Sequence, residues 1–169
     1  MQKLLDSLYA FCEHNKLEVN TDKTKVMVFT RSKVRLKNVP TFKMGDINLE
    51  RVEEYNYLGM LFTWNGKFTK AKTKLAVKAT RAMYSVIQNG RRLNLPVSML
   101  LKLFDSCVAP ILLYGAETWG FDNMDVLENV HTRFCKIITK KSKYCHNSFI
   151  YGELGRFPLQ ITATIRVLN

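Results

Sequence analysis

The sequence predicts an α+β protein: a small antiparallel sheet with one packed helix, followed by an all-helical bundle. Three observations predict it. Residues 17–66 carry short apolar runs punctuated by Gly45-Asp46 and Trp64-Asn65-Gly66, the signature of strands and tight turns. From Lys67 onward apolar residues recur every three or four positions, as helices require. At 169 residues and 47% hydrophobic, the chain buries a real core, in one domain or two small ones. No internal repeat or low-complexity linker is present, and the boundary falls near Gly66, giving parts 1–66 and 67–169.

Taken in order, residues 2–16 place Leu4, Leu5, Leu8, Tyr9 and Cys12 on one helical stripe. Residues 26–29 are short, β-branched and apolar on both faces, as a buried strand is. Residues 30–40 form a basic connection in which Arg31, Lys33, Arg35 and Lys37 alternate. An extended segment would show all four on one side, as would a solvated edge strand. Gly45-Asp46 joins two short strands in a hairpin. Residues 52–62 read as one strand with Gly59 inside it, a position that marks a bulge or a close backbone approach.

Residues 67–88 form a helix with Phe68, Leu75, Ala79, Ala82 and Val86 on one face. Lys67, Lys70, Lys74, Lys78 and Arg81 make a second stripe, extended by Arg91 and Arg92. Like charges at that spacing repel, and no acid between Glu54 and Asp105 offsets them. Such a stripe tracks phosphates or is a solvated face. Asn94 caps the next helix, with Pro96 in its first turn; that helix is apolar nearly all round until Pro110 kinks or ends it. Asp122 caps another, with Val126, Leu127, Val130, Phe134, Ile137 and Ile138 inward and Lys136, Lys140, Lys141 and Lys143 near its end. Pro158 opens a last short helix.

Lys and Arg number 26 against 14 acidic residues, a formal charge of +12. This excess favours a polyanionic partner, because each neutralised phosphate releases condensed counterions. Nucleic acid fits better than a membrane: the longest apolar run, residues 99–114, is cut by Lys102, Asp105 and Pro110. With no signal-peptide layout at Met1, the expected location is intracellular, cytoplasmic or nuclear. The four cysteines, Cys12, Cys107, Cys135 and Cys145, show no Cys-x-x-Cys pair and read as reduced core thiols. His131 and Cys135 lie one helical turn apart with Cys145-His146 shortly after, a spacing open to zinc, although the expectation is no metal.

Three stretches carry a resemblance. Tyr57-Leu58-Gly59 resembles the primer-grip signature of reverse transcriptases, above all those of non-LTR (LINE-type) retrotransposons. Leu17, Asn20, Lys23 and Thr24 resemble a segment late in that family's palm. Pro110, Leu112, Tyr114, Gly115, Glu117 and Trp119 resemble a stretch of its thumb, and Glu153-Leu154-Gly155-Arg156 also sounds like the family. The three main stretches are in register over most of the chain. The resemblance implies the carboxyl end of a palm before Gly66 and a thumb after it. It implies that Tyr57, Leu58 and Gly59 seat a primer 3′ end and that Lys23 lies beside the incoming nucleotide's phosphates, unless it is simply a strand-entry lysine in a turn. Asn20 would hold that turn. Tyr114, Glu117 and Trp119, at the end of an apolar helix, are expected to pack.

Two-metal phosphoryl transfer needs carboxylates converging on ions about 3.5–4 Å apart. The chain has no Asp-Asp pair, and its adjacent Glu53 and Glu54 would point to opposite faces of a strand. The family's metal-binding aspartates would lie before Met1. The expectation is therefore a reverse-transcriptase fragment, inactive alone, that grips the primer and tracks an RNA–DNA duplex of template and primer. It would act with the rest of its own palm and fingers, which bring Mg2+. Two alternatives stay open: a stand-alone, non-catalytic basic nucleic-acid-binding module derived from a retroelement, and a structural partner domain whose charge serves solubility.

Overall fold

The computed structural model describes residues 1–32 and 40–168. Lys33, Arg35 and Lys37 of the basic connection lie outside the described residues. The chain separates into two compact units, Met1–Phe68 and Thr69–Asn169.

The first unit opens with α1 (Gln2–His14). Its Gln2 amide pairs with both backbone groups of Lys43 at 2.9 and 3.0 Å, standing in for a strand partner. That docks α1 on the hairpin β2 (Lys43–Met44) and β3 (Ile47–Asn48), turned at Gly45-Asp46 as the sequence indicates. β1 (Lys25–Val26) pairs with β4 (Glu50–Arg51), and β5 (Glu54–Tyr57) with β6 (Met60–Thr63). The single antiparallel sheet expected here is thus three separate two-stranded pairings among the described residues, and β1–β4 is parallel. Two-residue strands exchange too few ladder bonds to extend a sheet. The core is Cys12, Met44, Leu49, Met60 and Leu61. On the predicted α1 stripe only Cys12 is fully buried, while Leu4 and Leu8 are exposed. Residues 26–29 are not a buried strand either, since Phe29 is exposed.

The second unit is helical: α2 (Thr69–Arg92), α3 (Val97–Leu103), a π-helical turn (Phe104–Val108), α4 (Ala109–Leu112), α5 (Ala116–Trp119), α6 (Asp125–Ile138), α7 (Asn147–Leu154) and α8 (Leu159–Leu168). The inward face of α2 is Ala71, Lys72, Leu75, Ala76, Ala79, Met83, Ile87 and Gly90, so Phe68, Ala82 and Val86 do not belong to it. It packs against α4, α6 and the π-helical turn.

Asn94 does not cap α3. At φ +49 it closes α2, with Asn94 N–H donating to Arg91 O and Leu95 N–H to Gly90 O, the paired bonds of a left-handed helix end. Pro110 neither ends nor breaks its helix, because the wider π-helical turn before it makes room for a ring that lacks an N–H. Only one stripe of this run is buried (Leu100, Phe104, Val108 and Leu112), not its whole circumference.

Asp122 does not cap α6: the N-cap position is Met124, and just before it Asn123 Oδ1 accepts from Asp125 N–H at 2.8 Å. Leu127, Val130, Phe134 and Cys135 face inward, while Val126 is exposed. At the α5–α8 approach a Cβ on Gly120 would sit 2.7 Å from the Ala163 carbonyl, so that position excludes any side chain. Arg156 grips Asp105 through two bonds of 2.6 and 2.7 Å, joining the turn after α7 to the π-helical turn.

Candidate nucleic-acid interface

Residues 52–62 are not one strand. Tyr57 pairs with Met60, so Leu58-Gly59 is the two-residue turn of the β5–β6 hairpin. The turn takes positive φ at both positions, +49 at Leu58 and +83 at Gly59, as type I′ turns require. Gly59 supplies that conformation freely, whereas a leucine incurs about 1–2 kcal/mol of steric strain for it. Asn56, Leu58, Met60 and Phe62 therefore do not share a face; Met60 and Leu61 are buried and Leu58 is 74% exposed. Tyr57 is exposed on β5 and tilts toward Phe62, ring centroids 6.5 Å apart. The tip Tyr57-Leu58-Gly59 thus projects an aromatic ring and an apolar side chain on a narrow, pre-formed turn.

The Lys23 turn stands beside this hairpin. Asn20 Oδ1 accepts from Lys23 N–H at 2.9 Å, and Asn20 O accepts from the Thr24 N–H and hydroxyl at 3.0 and 2.8 Å. Asparagine holds the turn as its side chain is suited to do. The Tyr55 hydroxyl donates to Lys23 O at 3.3 Å, so two stretches separate in sequence meet through β5. The Lys23 side chain is exposed.

On α2, Lys70, Lys74, Lys78 and Arg81 are exposed on the outer face. Lys67 precedes the helix, in the turn held by Asn65 Oδ1 accepting from its N–H at 3.0 Å. Arg91 and Arg92 are exposed in the last turn, since α2 runs on through Gly90. Lys72 departs from the pattern. It is 6% exposed, with Nζ donating to Asn123 O at 2.8 Å, 3.3 Å from Asp122 and over the Trp119 ring.

Sequence reasoning missed Arg133. A groove of about 520 Å3 runs between α2 and α6, lined by Thr73, Thr80 and Arg81 on one side and by Asn129 and Arg133 on the other. Asn129 and Arg133 also line a basic cleft of about 310 Å3 with Lys136, Lys141 and Lys143. The signal was present: Asn129, Arg133, Lys136 and Lys140 recur at helical spacing opposite the apolar face of α6.

Of the thumb-like stretch, Trp119 is buried as expected, but Tyr114 and Glu117 are exposed. Short α4 and α5, separated by a turn through Gly115, point successive residues in different directions. Cys107 is exposed and Cys145 half-buried, so only Cys12 and Cys135 are core thiols. His131 and Cys135 are both buried on α6 and do not gather with Cys145-His146. His131 stacks between Phe104 and Tyr151, and its Nδ1 lies 3.0 Å from Glu128. Glu128 also accepts from the Tyr151 hydroxyl and from Leu159 N–H. Burial pushes the Glu128 carboxyl up, but the bonds from His131, Tyr151 and Leu159 outweigh it and leave it below the usual range. No group of three or more His, Cys, Asp or Glu among the described residues is arranged to hold a metal. Among the described residues no helix is long and apolar enough to cross a membrane.

A protein of Drosophila melanogaster named "Probable RNA-directed DNA polymerase from transposon BS" is 28% identical over 163 residues. The match covers 92% of this chain. The chain is related to proteins of transposons. An uncharacterized transposon-derived protein of Caenorhabditis elegans is 30% identical over 124 residues, 71% of this chain. The chain spans 17% and 42% of the lengths of these two relatives. No family model matches this chain, and no solved structure matches it significantly.

Proposed function

We propose that this chain is the carboxyl end of the palm plus the thumb of a non-LTR (LINE-type) reverse transcriptase. In this reading Tyr57, Leu58 and Gly59 seat the primer 3′ end. Lys67, Lys70, Lys74, Lys78, Arg81, Arg91 and Arg92 follow the RNA–DNA duplex by its phosphates, and Lys23 faces the incoming nucleotide. The catalytic carboxylates and their Mg2+ belong to the rest of the polymerase.

One observation carries it: Leu58 is both strained and exposed at the tip of a hairpin. A turn with no task beyond joining β5 to β6 is served better by asparagine, which adopts positive φ at less cost. Strain kept at an exposed tip points to a surface used for binding. The similarity to a transposon polymerase supports the same reading.

The chemistry follows from shape and charge. A glycine at the turn lets a sugar–phosphate approach the backbone, and Tyr57 offers a flat apolar wall to the terminal nucleotide. Phosphate contacts along α2 fix register without reading sequence. Duplex affinity of the 169-residue chain, measured against salt, tests this. Changing Lys70, Lys74 and Lys78 together to Gln flattens the slope of log K against log salt by about 0.9 for each phosphate no longer neutralised. An unchanged slope and affinity would refute the tracking role. By itself the chain extends no primer, and nucleotide incorporation by the pure protein would overturn the assignment.

A further inference from the structure

We propose a second site on the helical unit, for single-stranded nucleic acid, built by the carboxyl half of α6 and the loop that follows it. It goes beyond the duplex-tracking role of α2 and stands on different residues.

The basic cleft of about 310 Å3 presents Arg133 and Lys136 from α6 and Lys141 and Lys143 from the loop, with no acidic residue among its lining. Lys136 Nζ donates to Lys143 O at 3.0 Å, which folds the loop back over the helix and gathers these cations. Lys141 lies 3.5 Å from Glu153, so its charge is partly answered. The remaining charges repel one another until an anion enters.

Two exposed aromatic rings stand at the same place. Tyr144 is 84% exposed, and Lys143 Nζ lies 4.9 Å from its ring centroid. Phe149 is 58% exposed, with Lys141 Nζ 5.5 Å from its centroid. Each lysine therefore belongs both to the cleft and to a ring. A phosphate held in the cleft brings its own base within reach of an aromatic face. With the lysine on one face of Tyr144, the opposite face is open to a base.

Cations interleaved with exposed rings suit single strands, whose unstacked bases are free to lie on side chains. In a duplex the bases stack on one another, and a surface such as the α2 stripe meets only phosphates. Rings presented with the cations therefore select the single-stranded form. Either sugar offers the same phosphates and base faces, so RNA and DNA are separate arms of the test.

The test is fluorescence anisotropy of the 169-residue chain with oligo-uridine, oligo-thymidine and a blunt duplex, each across a salt series. Tyr144→Ala weakens both single strands by about five-fold or more, the lower range for one stacked base, while Tyr144→Phe keeps the parent's affinity. Arg133→Gln with Lys136→Gln lowers the single-strand salt slope by about 0.7 for each phosphate left without its cation. Changing Lys70, Lys74 and Lys78 leaves single-strand binding unaltered, which separates this site from the α2 reading. Tyr144 is exposed, so its variants fold, as circular dichroism will show. Parent-like single-strand affinity for Tyr144→Ala, an unchanged slope for the double variant, or equal loss of duplex binding overturns the proposal.

Discussion

Lys72 of α2 is clasped by the segment that leads from α5 to α6: its ammonium lies 3.3 Å from Asp122 and 2.8 Å from Asn123 O, above the Trp119 ring. Close by on the same helix, Lys70 and Lys74 face outward. The same residue type thus does two jobs on α2, and the difference is measurable. Lys72→Gln should destabilise the helical unit by about 1–3 kcal/mol, because it removes the charge-assisted bond to Asn123 O and the ion pair with Asp122, without altering the salt slope of duplex binding. The triple change at Lys70, Lys74 and Lys78 should do the reverse, with helix content equal or slightly higher once self-repulsion is gone. Thermal melts and salt titrations of both proteins check the pair.

Leu58→Asn should raise the stability of the first unit by about 0.5–1 kcal/mol, since asparagine accepts positive φ and little burial is lost. Under the proposed primer-grip role, the same change in a polymerase that contains this segment should slow primer extension. Higher melting temperature with undiminished extension would reduce Leu58 to an awkward turn residue. Gly59→Val, by contrast, should destabilise the hairpin, because a β-branched residue fits φ +83 poorly.

Glu128 ties α6 to α7 through Tyr151 and to the start of α8 through Leu159 N–H. Glu128→Gln weakens these bonds and should cost about 1–3 kcal/mol. The pH dependence has a definite sign. Because the folded carboxyl titrates below its unfolded value, its contribution is full above about pH 4.3 and is lost as pH falls through the folded pKa. Urea melts from about pH 6 down to about pH 3 should fall more steeply for the parent than for Glu128→Gln. Parallel curves would show that the charge contributes nothing.

The cysteines should separate by accessibility. At about pH 8 a thiol reagent should modify exposed Cys107 in the native protein and Cys145 more slowly. Cys135 should wait for unfolding, since burial pushes its thiol up to about 12, and buried Cys12 should be shielded too. Mass spectrometry after a short pulse reads the order directly, and early labelling of Cys135 would contradict the packing around α6.

The sequence by itself determined the turn at Gly45-Asp46, the cationic stripe of α2, the inward Leu127, Val130 and Phe134 of α6 and the Pro158 start of α8. Each is a local matter, set by backbone freedom or by side-chain period within one segment. It also carried the kinship with transposon proteins, which are 28% and 30% identical over 92% and 71% of the chain. Only the tertiary structure decided the rest. Alternation across residues 52–62 could not distinguish a strand from a hairpin, because Tyr57-Leu58-Gly59-Met60 keeps its apolar rhythm through the turn. Asp122 and Asn94 have the side chains of helix caps. One was drawn to the buried ammonium of Lys72, and the other was taken by the end of the preceding helix. The basic cleft beside Tyr144 joins a helix to the loop after it through one bond from Lys136 to Lys143 O. Which lysine is buried and which meets solvent depends on what packs opposite, and no period within a single segment encodes that.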